Sequence, residues 1–110
     1  MEDKLIVFQK MYDLVKDTYP VIDRFPKAHK QVLGKEIEET CLKILTNIIK
    51  ANKSRTNERF ELQICISDEL DCLRILIRLS KDLKYISIKQ YLSVSERLNE
   101  IAKLLYSWSK

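Results

Sequence analysis

Apolar residues recur at alternating intervals of three and four in four segments, separated by short polar breaks. This spacing places side chains on one face of an α-helix and predicts helices over residues of about 3–23, 26–52, 57–84 and 87–108. Because the connections are only a few residues long, each helix should pack antiparallel to the next. The pattern therefore predicts one all-α domain over residues 1–110, an up-down-up-down four-helix bundle.

Three of the predicted helices carry one apolar face, which we expect to form the core. In the first helix it comprises Leu5, Phe8, Tyr12, Val15, Tyr19 and Ile22. In the second it comprises Gly34, Ile37, Cys41, Ile44, Ile48 and Ala51. In the fourth it comprises Tyr91, Val94, Leu98, Ile101, Leu105 and Trp108. Pro20 lacks a backbone donor and clashes with the preceding turn, so the first helix should kink there.

The middle of the third predicted helix is apolar almost all round. Between Leu70 and Leu79 the polar exceptions are Asp71, Arg74 and Arg78, which fall on one line along the helix. A helix that is apolar on most sides must be buried on most sides. One face can meet the bundle core, and another copy of the chain is the simplest cover for the rest. The pattern therefore predicts a homo-oligomer.

The composition argues against the common classes of enzyme. One Gly and two Pro are too few for the turns of a sheet-rich fold, and no phosphate-binding loop or dinucleotide fingerprint is present. His29 is the only histidine, and no nucleophile motif accompanies it. We therefore expect no enzyme activity and no cofactor.

The cysteines indicate a reducing compartment. Cys41, Cys65 and Cys72 form no C-x-x-C pair, so we expect reduced, mostly buried thiols with neither a disulfide nor a metal site. No run of about 18 uncharged apolar residues is present, so we expect no membrane span. Together these features predict a cytoplasmic protein.

Positive charge is concentrated in two regions. The net charge is +4, from 20 basic and 16 acidic residues. Residues 24–35 hold four basic side chains and no acidic one, and residues 50–59 hold four basic and one acidic. In an up-down bundle the first region should meet Lys84 and Lys89 at one end, and the second should lie at the opposite end.

These residues are the candidates for binding the phosphates of RNA or DNA. The full candidate set is Lys27, Lys30, Lys35, Lys53, Arg55, Arg59, Arg74 and Arg78. The alternative is that lysines near helix ends only solubilise the protein, and that Arg74 and Arg78 pair with Asp71 and Asp82. Few aromatic residues sit among these positions, so we expect base stacking to contribute little.

Several motifs together resemble a known family, the accessory variability determinant (Avd) proteins of diversity-generating retroelements. They are Tyr19-Pro20, the F-P-K-x-x-K turn at 25–30, Leu33-Gly34, the run L-R-I-L-I-R-L at 73–79, and Trp108. The same bundle superfamily includes proteins encoded by intervening sequences in 23S ribosomal RNA genes. The second helix, with Thr46-Asn47-Ile48, is similar to theirs. Glu38, Glu39 and Leu42 replace the paired arginines and small residues of that group, which favours Avd.

The resemblance implies a non-enzymatic four-helix bundle that assembles into a pentameric ring. It also implies binding to a reverse transcriptase and to nucleic acid, in support of mutagenic copying of a template RNA. Two alternatives remain. One is a ribosomal-RNA intervening-sequence protein of unknown role, and the other is a helical oligomeric scaffold that binds no nucleic acid.

Overall fold

Four long helices make up the described part of the chain. The computed structural model describes residues 2–109, and the side chains of residues 5–108. Helix α1 spans Glu2–Asp23. Helix α2 has three consecutive parts: an α-helical turn at Lys27–His29, a π-helical segment at Lys30–Gly34 and an α-helix at Lys35–Lys53. Helix α3 spans Thr56–Asp82, and α4 spans Ile88–Ser109.

The helices pack as the predicted all-α four-helix bundle. Each helix packs against the one before it, and α4 also packs against α1, so that the four surround one core. Residues 2–109 contain no strand. Helix α1 continues through the exposed Pro20 to Asp23. The fold class is therefore confirmed, while the kink at Pro20 stays a prediction.

Local hydrogen bonds explain where helix α4 begins. The Ser87 hydroxyl accepts a 3.0 Å hydrogen bond from the backbone N–H of Gln90. In return, the Ser87 backbone N–H donates a 2.9 Å bond to Oε1 of Gln90. This reciprocal capping box satisfies backbone donors that the first turn of a helix leaves free. Ser87 is thus the N-cap that the sequence predicts.

The predicted core faces of α2 and α4 are confirmed. In α2 every predicted position is buried, from Gly34 to Ala51. In α4 Leu98, Ile101 and Leu105 are buried, and the remaining predicted positions are half-buried.

The predicted face of α1 is partly wrong. Leu5, Tyr12 and Tyr19 are exposed. The buried side chains of α1 are Val7, Met11, Leu14, Val15, Thr18 and Ile22. Because Thr18 is polar, the sequence does not mark this face as apolar. In the fold the Thr18 hydroxyl donates a 2.6 Å hydrogen bond to the Leu14 carbonyl, which satisfies the hydroxyl inside the core.

Helix α3 leaves much of its apolar surface outside the bundle core. Leu70, Leu73 and Ile77 are buried, whereas Ile75 is 62% exposed and Leu79 is 44% exposed. The expectation that all three cysteines are mostly buried is wrong: Cys41 is buried, but Cys65 and Cys72 are exposed. Neither lies on the face of α3 that meets the core. All three thiols are free.

Candidate nucleic-acid interface

The α1–α2 turn and the α3–α4 turn meet at one end of the bundle. The Tyr85 ring lies 5.4 Å from the Phe25 ring and 5.1 Å from the His29 ring, measured between centroids. Residues 24–35 and 81–92 therefore share this end, which we call the Tyr85 end. The sequence-based expectation that the first basic region meets Lys84 and Lys89 is correct.

At the Tyr85 end, some basic groups are paired and others are not. Lys30 lies 3.4 Å from a carboxylate oxygen of Asp23, and Lys35 lies 4.0 Å from one of Glu39. Lys27, Lys84 and Lys89 are exposed and have no carboxylate partner within the part of the chain that the structure describes. An unpaired lysine is the stronger candidate for a phosphate contact, because it need not first leave a carboxylate.

The second basic region lies at the α2–α3 turn, which we call the Arg55 end. Lys53 ends α2, Arg55 directly precedes α3, and Arg59 lies in its first turns. The Arg59 backbone N–H donates a 2.8 Å hydrogen bond to the Arg55 carbonyl, which fixes the start of the helix. Among residues 5–108 none of the three side chains has a carboxylate partner. Their charge is therefore available to an anion.

Arg74 and Arg78 belong to neither basic end. Arg74 Nε lies 3.7 Å from Asp71, and Arg74 also donates a hydrogen bond to Asn99 on α4. Arg78 Nε lies 3.9 Å from Asp82. Both arginines thus make the intrahelical pairs of the alternative interpretation, and Arg74 also links α3 to α4.

The structure brings together aromatic and basic side chains that the sequence separates. A groove at the Tyr85 end is lined by Lys81, Lys84, Tyr85, Ile88, Tyr91 and their neighbours up to Leu92. The Lys81 ammonium lies 4.5 Å from the centre of the Tyr91 ring, a cation–π contact. The sequence-based expectation that few aromatics sit among the basic positions did not include this groove. Lys84-Tyr85 in the short turn is the signal that could have indicated it.

Two other classes of site find no support in the described residues. Within residues 5–108 no three His, Cys, Asp or Glu side chains are grouped to hold a metal ion. The His29 ring packs against the Tyr85 ring. A phenol does not serve as the acidic partner of a catalytic histidine in the way that a carboxylate does. No helix in the described range is long and apolar enough to cross a membrane.

Comparison with known families decides the identity at family level. A family model described as bAvd-like matches residues 5–110. The chain belongs to the bAvd-like family. This confirms the resemblance to Avd proteins that the motifs indicate. No curated protein matches the chain.

A solved structure shows the same fold as this bAvd-like chain. It is that of a protein of unknown function from the S23 ribosomal protein family of Bacteroides thetaiotaomicron. The two superpose with a TM-score of 0.88 over 97% of each chain, at 21% sequence identity. At that identity the similarity establishes the fold alone.

Proposed function

We propose that the chain is a non-enzymatic accessory protein of a diversity-generating retroelement. In this role it binds the element's reverse transcriptase and its template RNA in the cytoplasm, and it supports mutagenic reverse transcription. The observation that carries the proposal is the bAvd-like match, which extends over residues 5–110. The function follows from the family resemblance, and the charge distribution supports its RNA-binding part.

The two basic ends suit a polyanion. Lysine and arginine side chains bind phosphates without regard to base identity, and they release counterions as they do so. The net charge of +4 is modest for one chain. Assembly into a ring would repeat each basic end around an axis, and five copies would carry about +20, which strengthens attraction through multivalency.

The exposed apolar surface supports assembly. Ile64, Ile75 and Leu79 project from α3, and another group that includes Tyr12 and Leu42 is exposed on α1 and α2. Isolated exposed apolar side chains are ordinary, but several on one helix mark an interface. Two different apolar surfaces on one chain favour a head-to-tail contact, which closes into a ring when its rotation allows. We propose that this ring is a pentamer.

We expect a reverse transcriptase gene beside the gene of this chain, and co-expression of the two proteins tests the proposal. We expect the two proteins to purify together, and complementary DNA synthesis from the template RNA to require the chain. A gene located inside a 23S ribosomal RNA gene would instead support the intervening-sequence alternative. Assembly without binding to the reverse transcriptase or to RNA would support the scaffold alternative.

A further inference from the structure

The groove at the Tyr85 end combines three kinds of surface that single-stranded RNA uses. Tyr85 and Tyr91 supply aromatic rings, and both line the groove. Lys81 and Lys84 supply positive charge along the same groove. Ile88, which is 69% exposed, and Leu92, which is 54% exposed, supply apolar contact area. A surface that held only a phosphate backbone would need the lysines alone.

Ring contacts hold Tyr85 in place. The rings of Phe25 and His29 lie 5.4 Å and 5.1 Å from its centroid, with tilts of 48° and 33°. Phe25 is buried, so Tyr85 is anchored to the core on one side while it lines the groove. An aromatic side chain that is already ordered loses little entropy when a base stacks against it.

The backbone of Lys84 adopts a left-handed conformation, which glycine adopts more easily than other residues. Its φ angle is 66°, and it is the one non-glycine residue with positive φ in the described part of the chain. The Lys84 and Tyr85 backbone N–H groups bond to the carbonyls of Lys81 and Ser80, so helix α3 ends in a Schellman motif with Lys84 at the left-handed position. Glycine adopts this conformation without steric cost. Backbone strain of this kind is often kept at functional sites.

Two lysines, Lys81 and Lys84, and one carboxylate, Asp82, line the groove. Lys81 is paired with Asp82 at 3.4 Å, and Arg78 shares the same carboxylate residue. Lys84 has no carboxylate partner among residues 5–108. The groove therefore has one unpaired lysine, Lys84, beside the rings of Tyr85 and Tyr91.

We propose that this groove binds an unpaired base and its neighbouring phosphate from single-stranded RNA. The base packs against Tyr85 and Tyr91, and the phosphate contacts Lys84. The proposal rests on the proposed function, because it assumes that the chain binds RNA. Bases in a duplex are stacked on one another and cannot enter a groove, so the site discriminates single strands from duplexes.

Lys84→Gly separates binding from folding. Glycine relieves the strain at the left-handed position, so we expect the melting temperature to rise by about 2–6 °C. The same change removes the phosphate contact, so the affinity for a single-stranded oligoadenylate of about 12 nucleotides should fall by about threefold to tenfold at low salt. The control Lys103→Ala removes one exposed lysine elsewhere and should lower affinity less than twofold.

Tyr91→Leu tests the aromatic part of the groove. It keeps the apolar character but removes the ring, and the affinity for oligoadenylate should fall about tenfold. Affinity for an RNA duplex of equal length should stay within about twofold. The control Tyr19→Leu removes an exposed ring from α1, outside the groove, and should change neither affinity. Light-induced crosslinks from iodinated single-stranded RNA should map to Tyr85 or Tyr91.

The outcomes separate the two proposals. If the wild-type chain binds neither RNA at low salt, the RNA-binding part of the proposed function fails. If it binds both RNAs, and Lys84→Gly and Tyr91→Leu behave like their controls, the groove is not the site and the proposed function stands. Equal wild-type affinity for single strand and duplex, or crosslinks only outside residues 81–92, would also overturn the inference.

Discussion

A Cβ atom added to Gly34 would lie 2.7 Å from Cγ2 of Ile22. Helices α1 and α2 approach each other at this point, and Ile22 is almost fully buried there. The single glycine of the chain therefore stands where the packing leaves no room for a side chain. It is not used for a turn, because its backbone is right-handed helical.

Gly34→Ala should therefore destabilise the fold even though alanine favours helices. Alanine gains about 1 kcal/mol in helix propensity over glycine. The clash with Ile22 forces the helices apart or the side chain off its rotamer, at about 1–3 kcal/mol. We expect a net loss, measured by urea unfolding. The control Ser93→Ala, at an exposed position of α4, should not destabilise. A Gly34→Ala variant more stable than wild type would contradict this packing.

Cys41 should make stability depend on pH in the alkaline range. Burial, with a smaller contribution from Glu38, raises the pKa of the Cys41 thiol from 9.0 to about 12. Between these values the unfolded chain has lost the proton and the folded chain has kept it. The free energy of unfolding should therefore fall as pH rises from 9 to 12, by up to about 1.4 kcal/mol per pH unit from this group.

Comparison with Cys41→Ala isolates this effect. The variant lacks the thiol, so its unfolding free energy should fall less steeply over the same pH range. The stability difference between wild type and variant should therefore shrink as pH rises. Parallel curves would show that the thiol ionises equally easily in the folded and unfolded chains.

Ile75→Glu should dissociate the proposed oligomer. Ile75 is 62% exposed on α3, and a carboxylate placed within an apolar subunit contact would be buried without a partner. Light scattering should show a smaller species, and circular dichroism should show unchanged helix content. Val32→Glu makes the same change at another exposed aliphatic position, on α2, and should leave the assembly intact. A wild-type chain that is monomeric at micromolar concentration would contradict the assembly proposal.

Charge-neutral double substitutions should separate structural from RNA-binding arginines. Arg74→Ala with Asp71→Ala removes an existing ion pair, so RNA affinity should stay within about twofold. Arg55→Ala with Glu58→Ala also removes one charge of each sign, but Arg55 is unpaired within residues 5–108. That variant should bind RNA several-fold more weakly. The opposite ranking would place the phosphate contact on α3.

The sequence predicts some elements well because a single physical signal controls them. The α2 face is correct because its apolar positions meet the core without a polar interruption. The predicted α1 face is partly wrong because two neighbouring lines of residues along the helix both have the three-and-four spacing of a helix face. Thr18 is buried on one, while the amphipathic ring of Tyr12 is exposed on the other.

The candidate site was only partly predictable for a different reason. The positions of the two basic ends can be predicted, because the sequence gives both the charged residues and the order of the helices. The groove depends on how a turn folds back, since Tyr85 contacts His29 across two separate connections. The strained φ of Lys84 is likewise a property of the helix end, and lysine gives no sign of it in the sequence.

Wild-type RNA binding across a salt series tests the central claim most directly. Fluorescence anisotropy with labelled RNA, from about 0.05 M to 0.5 M salt, measures the affinity at each step. If the basic ends hold phosphates, the logarithm of the affinity should fall linearly with the logarithm of the salt concentration. Undetectable binding at low salt, or an affinity indifferent to salt, would contradict the account and favour a scaffold without nucleic acid.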